Sequence, residues 1–278
     1  NFLPPKKWYQ KFEKYWKPGE LGALKKIDKY IVSRIDNYRV NRDRPDIDET
    51  SRISPHLKFG EISPRIIVGK INKIKKHNPS ILHYLSEIGW REFAYTLLYF
   101  TEDLKSIPIN KKFENFQWKK NRNHFNNWKK GKTGLPIIDA AMLQLYEQGW
   151  MHNRLRMIVA MFLSKNLLVD WKIGEEFFMK HLIDGDIASN NGGWQWSAST
   201  GTDAAPYFRI MNPETQSLRF DETGEYIKKY VKELRNCSTE EVHMPSNPKD
   251  FSYIEPIVNL KTSRQKAIDV FGSIKTVE

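Results

Sequence analysis

Within residues 184–209 (DGDIASNNGGWQWSASTGTDAAPYFR), the types and spacing of the side chains describe a binding pocket. Trp194 and Trp196 stand two residues apart, directly after Gly192 and Gly193, which permit close backbone approach. Asp184, Asp186 and Asn190 come immediately before them. Hydrogen-bonding groups therefore lie beside stacking groups, as a pocket for a large planar heteroaromatic requires. Taken alone, residues 191–193 also read as a simple turn. Three other segments stand out with it: Thr50-Ser51-Arg52-Ile53-Ser54, residues 87–93 (EIGWREF) and residues 150–157 (WMHNRLRM). Each has a plainer account, as a helix N-cap, an amphipathic turn and a helix start with surface arginines. Arg154 and Arg156, in the last of them, are placed to balance the aspartates.

Several other chemistries fail on their spacing. Gly131-Lys132-Thr133 resembles the tail of a phosphate-binding loop, but Asn126 stands where the first glycine belongs and no strand precedes it. Asp184-Gly185-Asp186 lacks the further carboxylates of a calcium loop. The seven histidines include no pair at ligand spacing, and His152 reads as a packed or hydrogen-bonded residue. No GxSxG hydrolase elbow occurs. The single cysteine, Cys237, rules out an internal disulfide or a cysteine zinc cluster and fits a reducing, cytoplasmic setting. Asn236-Cys237-Ser238 matches a glycosylation sequon, which carries no meaning without a secretory signal.

The elements that must position these residues read as helices. Apolar residues at spacings of three and four mark residues 21–38 through Leu24, Ile27, Ile31 and Ile35. Ser63-Pro64 opens another helix as N-cap and first position. Residues 82–100 read as a buried helix, 136–146 as an amphipathic one, 153–170 as one long apolar helix and 175–182 as a short one. Strand alternation is almost absent, so the expected class is all-α. Loops are expected at 130–135, at 191–193, at Pro206 and at Asn212-Pro213. The chain after Pro213 is more polar and is expected to wrap the domain. We expect residues 1–20 to form a linker or docking segment and 21–278 a single helical domain.

With 278 residues and 40% hydrophobic content, the chain can bury a large core. Its most apolar run, residues 157–162, is far short of the roughly 20 residues a membrane helix needs. The net charge of +12 favours a polyanionic partner, although a lysine-rich composition accounts for it equally well. The nine tryptophans fit either a large helical core or stacking on planar ligands.

Together, in their order and spacing, the four segments resemble the class I cyclobutane pyrimidine dimer photolyases. The resemblance runs over about residues 20–260, and WMHNRLRM and NNGGWQW…TGTDAAPYFRI are its most specific strings. It implies the helical FAD-binding domain of the photolyase/cryptochrome family, with DNA carrying pyrimidine dimers as partner. It further implies a monomer without membrane contact, and light-driven electron transfer from reduced FAD that splits the dimer. Tyr38 and Thr50, Ser51, Arg52, Ile53 and Ser54 match the segment that binds the flavin's phosphates and ribityl chain. Arg156 and Asp184 match an ion pair beside the isoalloxazine ring, and Asp186 a further flavin contact. Asn190 matches the asparagine that faces flavin N5. Trp194, Trp171 and Trp118 match a tryptophan chain that passes an electron to the excited flavin. Trp90 and Trp196 match residues that stack on the flipped lesion. Glu87, Asn153 and Met157 match its polar and apolar contacts, and Glu87, if protonated, would hydrogen-bond the electron-bearing dimer. Arg42, Arg154 and Arg209 match phosphate contacts.

The resemblance leaves the N-terminal α/β domain, which carries the family's antenna chromophore, absent from this chain, which is expected to bind no antenna. Trp128 and the residues after Pro256 receive no role. The alternative within the family is a cryptochrome photoreceptor without repair. Plant-type members usually carry aspartate at the position of Asn190, the DASH group differs around the paired tryptophans, and (6-4) enzymes carry histidines where Asn153 and Arg154 stand. From other classes, a basic helical DNA-binding module would not place Asp184 and Asp186 beside its aromatics, and an inactive flavin-binding remnant would not keep the whole set.

Overall fold

The computed structural model describes residues 8–74, 78–202 and 208–274. Capping chemistry sets most helix starts. Helix α1 (Glu20–Ser33) turns Ala23, Ile27 and Tyr30 inward, at the spacing of one helical face. The short α2 (Tyr38–Asn41) and α3 (Ser54–Lys58) flank an irregular stretch. Helix α4 (Pro64–Asn72) begins as expected, the Ser63 hydroxyl accepting from the Arg65 amide ahead of a first-position proline. Asn78 caps α5 (Pro79–Phe100) and Asn121 caps α6 (Arg122–Lys129). Helix α7 (Pro136–Gln148) ends on Gly149 in the left-handed region. His152 caps α8 (Asn153–Met161), and its imidazole is pushed down to about 3 by burial. It is a packed residue held neutral.

A π turn, Phe162–Asn166, continues from α8, followed by α9 (Trp171–His181) and α10 (Ile187–Ala198). Helices α11 (Pro213–Phe220), α12 (Glu225–Tyr230) and α13 (Leu260–Gly272) complete the set. Among the described residues there is no strand, only an isolated bridge between Lys119 and Val169. The expected all-α class is observed.

Three local expectations are corrected. Residues 191–193 lie inside α10 rather than in a turn. Asp186 caps that helix, and α10 packs on α5, α8 and α9, so tertiary contact overrides the glycine propensity. Gly192 faces the Ala94 methyl of α5, where a Cβ would stand 3.8 Å away, so the two helices cross closely. The long helix expected over 153–170 breaks at the π turn, after which Leu168 takes a left-handed φ of 55°. The helix expected over 82–100 is present but not buried: Leu82, Trp90, Phe93, Tyr99 and Phe100 are all exposed. An apolar count does not distinguish a core face from one that meets a ligand or partner. Pro206 lies outside the described residues, as do residues 1–7.

The main core is built on α7, where Ile137, Ile138, Ala141, Met142 and Leu145 are all buried. Helices α8, α9 and α12 close around it through Leu155, Phe178 and Ile227. The polar last third joins this core through Tyr226, Leu234, Val242 and Tyr253 instead of making its own. A second cluster holds α1, α4 and the start of α5 together through Ile27, Ile67, Ile71 and Tyr84. Burying each such isoleucine contributes about 1.5–3 kcal/mol. Before α1, Trp16 packs beside Trp150 and its indole N–H donates to the Gln148 carbonyl at 2.6 Å. No helix among the described residues is long and apolar enough to cross a membrane.

The Gly131–Thr133 turn is organised from within. Asp139, fully buried, accepts the Thr133 amide at 2.8 Å, the Thr133 hydroxyl at 2.7 Å and the Gly134 amide at 3.1 Å. The Tyr253 hydroxyl also donates to it. Burial pushes this carboxyl up to about 6, against the pull of its donors. The folded chain therefore holds the proton more tightly than the unfolded chain, and this group's contribution falls as pH rises from 3.8 to about 6. Asp139→Ala would strand four donors in a dry site. It should lower the unfolding free energy by about 3–5 kcal/mol in urea titrations. A loss below about 1 kcal/mol would mean the turn finds other acceptors.

Candidate functional site

The irregular stretch before α3 forms an anion cradle. Arg52 takes a left-handed φ of 47°, and Ile53 follows in the right-handed region at φ −85° and ψ −9°. Such alternation turns successive amide N–H groups to one side, a nest suited to anions. Among the described residues, the amides of residues 51–54 donate to no backbone carbonyl. Thr50 is half-buried beside them. Ser51 Oγ accepts from the Tyr84 hydroxyl at 3.0 Å. The Arg52 guanidinium lies 4.6 Å over the Trp150 ring and donates to Gln148 Oε1 at 3.3 Å.

Ser54 links the cradle to an ion pair. Its hydroxyl donates to Asp184 Oδ2 at 2.6 Å, and Arg156 Nη2 reaches both carboxylate oxygens at 3.0 and 2.8 Å. Arg156 Nε is fixed on the Met151 carbonyl at 2.8 Å. The Asp184 side chain is only 2% exposed, so two charge-assisted partners balance a nearly dry carboxylate.

Helix α10 carries the next group. Asp186 spends Oδ1 on the Ser189 amide at 2.9 Å and also lies close enough to Tyr95 to help raise that phenol, after burial. Asn190 donates its amide nitrogen to the Glu175 carbonyl at 3.0 Å and to Glu175 Oε1 at 2.8 Å. Trp194 is buried in a slot left by Gly174: a Cβ there would stand 2.2 Å from the indole. The Trp194 ring centroid lies 5.1 Å from Phe178 and 6.1 Å from Trp128, both edge-on. Trp196, two residues on, is half-buried. Trp171 is buried in the main core. Trp118 is half-buried against Phe116, 4.2 Å away, where the main core meets the small aromatic cluster of Phe113, Phe116 and Leu168.

A second charged group joins α2, α5 and α8. Arg42 bonds Glu87 Oε1 and His83 Nε2 and lies 5.3 Å over the Tyr38 ring, while Asp43 takes Arg154 Nη2 at 2.6 Å. Tyr38 is buried, and burial raises its phenol far above the ordinary value. Arg42 and Arg154, read from sequence as phosphate contacts, have side chains only 14% and 18% exposed and hold acidic partners. Arg209 is the exposed arginine of that set. Asn153 is exposed, Met157 half-buried, and Trp90 57% exposed as a whole residue and set edge-to-face with Phe93.

Sequence reading missed Glu175, Asp43, His83, Gly174 and Trp128. Gly174 lies inside α9, which starts earlier than the helix expected over 175–182, so its close packing was missed with the helix start. Trp128 stands directly against Trp194, and its indole N–H donates to the Val159 carbonyl at 3.0 Å. Among the described residues no group of histidines, cysteines and carboxylates is set to hold a metal.

Comparison with known proteins adds the following. Residues 84–273 match the family model described as the FAD binding domain of DNA photolyase. The chain is 43% identical over 264 residues to a deoxyribodipyrimidine photo-lyase of Alkalihalophilus pseudofirmus, covering 91% of this chain and 55% of that protein. It superposes at a TM-score of 0.93 and 40% identity on a bacterial class III photolyase from Agrobacterium tumefaciens, over 98% of this chain and 59% of that one. A cryptochrome from Synechocystis follows at a TM-score of 0.85 and 32% identity, over 92% and 56%. The chain thus spans little more than half the length of these relatives. The class I likeness stays an expectation, since the Agrobacterium structure is of class III.

Arg156→Met would leave the buried Asp184 carboxylate with Ser54 alone. It should cost about 3–5 kcal/mol of unfolding free energy, the scale for breaking a buried pair from one side. The double variant Arg156→Met/Asp184→Asn should recover part of that loss in the same denaturation assay. Equal losses in both would show that the pair's charge balance is not what stabilises this corner.

Proposed function

Because this chain belongs to the photolyase family and is its FAD-binding domain, we propose that it is the catalytic domain of a light-driven enzyme that splits cyclobutane pyrimidine dimers in DNA. One observation carries the reading: the amide nest at residues 51–54 is joined through Ser54 and Asp184 to Arg156, on the helix that also bears Asn153 and Met157. An anion cradle is thereby tied to the helix that carries two of the residues assigned to the lesion.

The residues fit a dinucleotide flavin. Free amides at the nest suit its phosphates, with Thr50, Ser51 and Ser54 hydroxyls beside them. Tyr38 offers a buried aromatic wall. Arg156 and Asp184 offer both signs of charge next to the ring, and Asp186 a further carboxylate. Asn190 is held by its amide nitrogen on Glu175, which leaves its oxygen to accept from the ring. When bound and reduced, FAD supplies the photoexcited electron that opens the cyclobutane ring. Trp194, fixed by its Gly174 slot, is assigned with Trp171 and Trp118 to returning the flavin to its reduced state.

The protein's own part is position and electrostatics. Photolyases belong to the enzymes that take the target bases out of the stack. Trp90 and Trp196 are assigned to stack on the flipped lesion, with Asn153 and Met157 at its edge. Glu87 is assigned to the same place, where its pairing with Arg42 would keep a cation close to where negative charge develops. Arg154 and Arg209 are assigned to phosphates, Arg154 after release from Asp43. We assign residues 21–278 to the flavin domain and 1–20 to a docking segment, acting as a monomer on chromosomal DNA in the cytoplasm.

Protein loaded with FAD, with reductant, should remove a thymine dimer from a single-stranded oligonucleotide under near-UV or blue light and leave it intact in the dark. Flavin at one per chain without repair would move the reading to a photoreceptor. Trp90→Ala should weaken lesion binding by about 1–3 kcal/mol, the worth of one base–aromatic stack, and leave flavin content unchanged. Unaltered affinity would remove Trp90 from the lesion site.

A further inference from the structure

Lys165 is fully buried, yet no carboxylate forms an ion pair with it among the described residues. An ammonium taken out of water without a counter-charge is costly, and a methionine of similar length would pack at no such cost. Its position is equally unusual. Lys165 lies in the π turn Phe162–Asn166, whose extra residue per turn re-aims side chains. Three successive polar residues leave that turn in three directions. Ser164 Oγ donates back to the Ala160 carbonyl at 2.8 Å, and Asn166 Nδ2 reaches Ser263 Oγ on α13 at 2.9 Å. Lys165 Nζ, between them, donates to Ser199 Oγ at 2.7 Å and to the Arg209 carbonyl. The same nitrogen lies 4.5 Å over the Phe208 ring.

These partners belong to the two ends of one connection. Ser199, with a left-handed φ of 66°, ends α10 three residues after Trp196. Phe208 and Arg209 begin the return toward α11. One buried nitrogen therefore ties the end of the helix that carries Trp196 to the backbone of Arg209. We propose that Lys165 is a positioning residue for lesion recognition: it clamps Ser199 to Arg209 and so fixes the stacking residue and the phosphate contact relative to each other. The clamp rests on the assignment of Trp196 and Arg209 to DNA made above. Burial, with the Arg209 charge adding to it, pulls the Lys165 ammonium down to about 7. That agrees with a group whose partners among the described residues are a hydroxyl and a carbonyl.

The test uses the FAD-loaded chain with Lys165→Met and, as a milder cut, Ser199→Ala. Two readouts separate the clamp from its use. Amide hydrogen exchange over residues 199–202 and 208–211 should rise in both variants, while exchange in α7 and the flavin content stay at wild-type values. Affinity for an oligonucleotide with one thymine dimer should fall about tenfold in Lys165→Met, the worth of one well-placed contact. It should fall less in Ser199→Ala, and the double variant should be no weaker than Lys165→Met alone, as expected for one shared interaction. Unchanged exchange at both ends would overturn the clamp. Raised exchange with undiminished affinity would overturn its role in recognition. Flavin loss that parallels the affinity loss would make Lys165 merely structural. If Lys165→Met does not fold, Ser199→Ala decides on the same two readouts. If the wild-type chain shows no preference for the lesion, the DNA assignment fails, and exchange alone judges the clamp.

Discussion

The arrangement depends first on one carboxylate, Asp184, set in a place where water scarcely reaches. Its two oxygens are shared between Arg156 and Ser54, which come from segments far apart in the chain. A buried charge is tolerable only when paired and hydrogen-bonded. The amide nest, the start of α8 and the turn before α10 are therefore fixed relative to one another by a single electrostatic demand. Helix packing alone would leave each of these ends free to slide, because apolar contact is non-directional. Charge-assisted bonds with defined angles remove that freedom where a cofactor must be met by several elements at once.

The same device recurs wherever helices must be joined without a sheet. Asp221, pushed up to about 6 by burial, accepts the Tyr226 and Ile227 amides and starts α12. Asp139 does the equivalent for the turn before α7. An all-α fold has no ladder to satisfy the backbone of its connections, so buried side chains take that task. The exception in sign is the lysine of the π turn, whose partners are a hydroxyl and a carbonyl. Acids collect amide donors at helix starts, and this cation collects oxygen acceptors past a helix end, as the backbone's polarity dictates.

Much of this was legible in the sequence, and the limits have physical causes. The helix start at Ser63-Pro64 was readable because capping is local, and the helix from Pro136 because its apolar residues recur on one side. The association of residues 50–54, Arg156 and Asp184 was legible only through resemblance, since no periodicity links positions so far apart. The turn expected at residues 191–193 failed because glycine propensity is weak beside the packing of α10 on α5. Residues 82–100 misled in the opposite way: their apolar side chains promised a core that the fold does not place there. Arg42 and Arg154 matched phosphate contacts by resemblance alone, and their partners Glu87 and Asp43 were not legible because no spacing rule links them.

That last difference bears on how the surface works. A chain of +12 net charge needs no extra arginines to attract a polyanion, since long-range attraction is a property of the summed field. Arginines already paired with acids are poor phosphate anchors until the pair opens, and opening costs part of what the phosphate returns. Their present use is to hold Glu87 and Asp43 in fixed positions. On the proposed function, attraction would come from the whole surface, registration from Arg209, and discrimination from aromatic faces that a normal stacked duplex cannot reach. On that proposal charge would bring the strand in, and only a base pair already weak enough to leave the stack would satisfy the rings, because unstacking is cheapest for a damaged site.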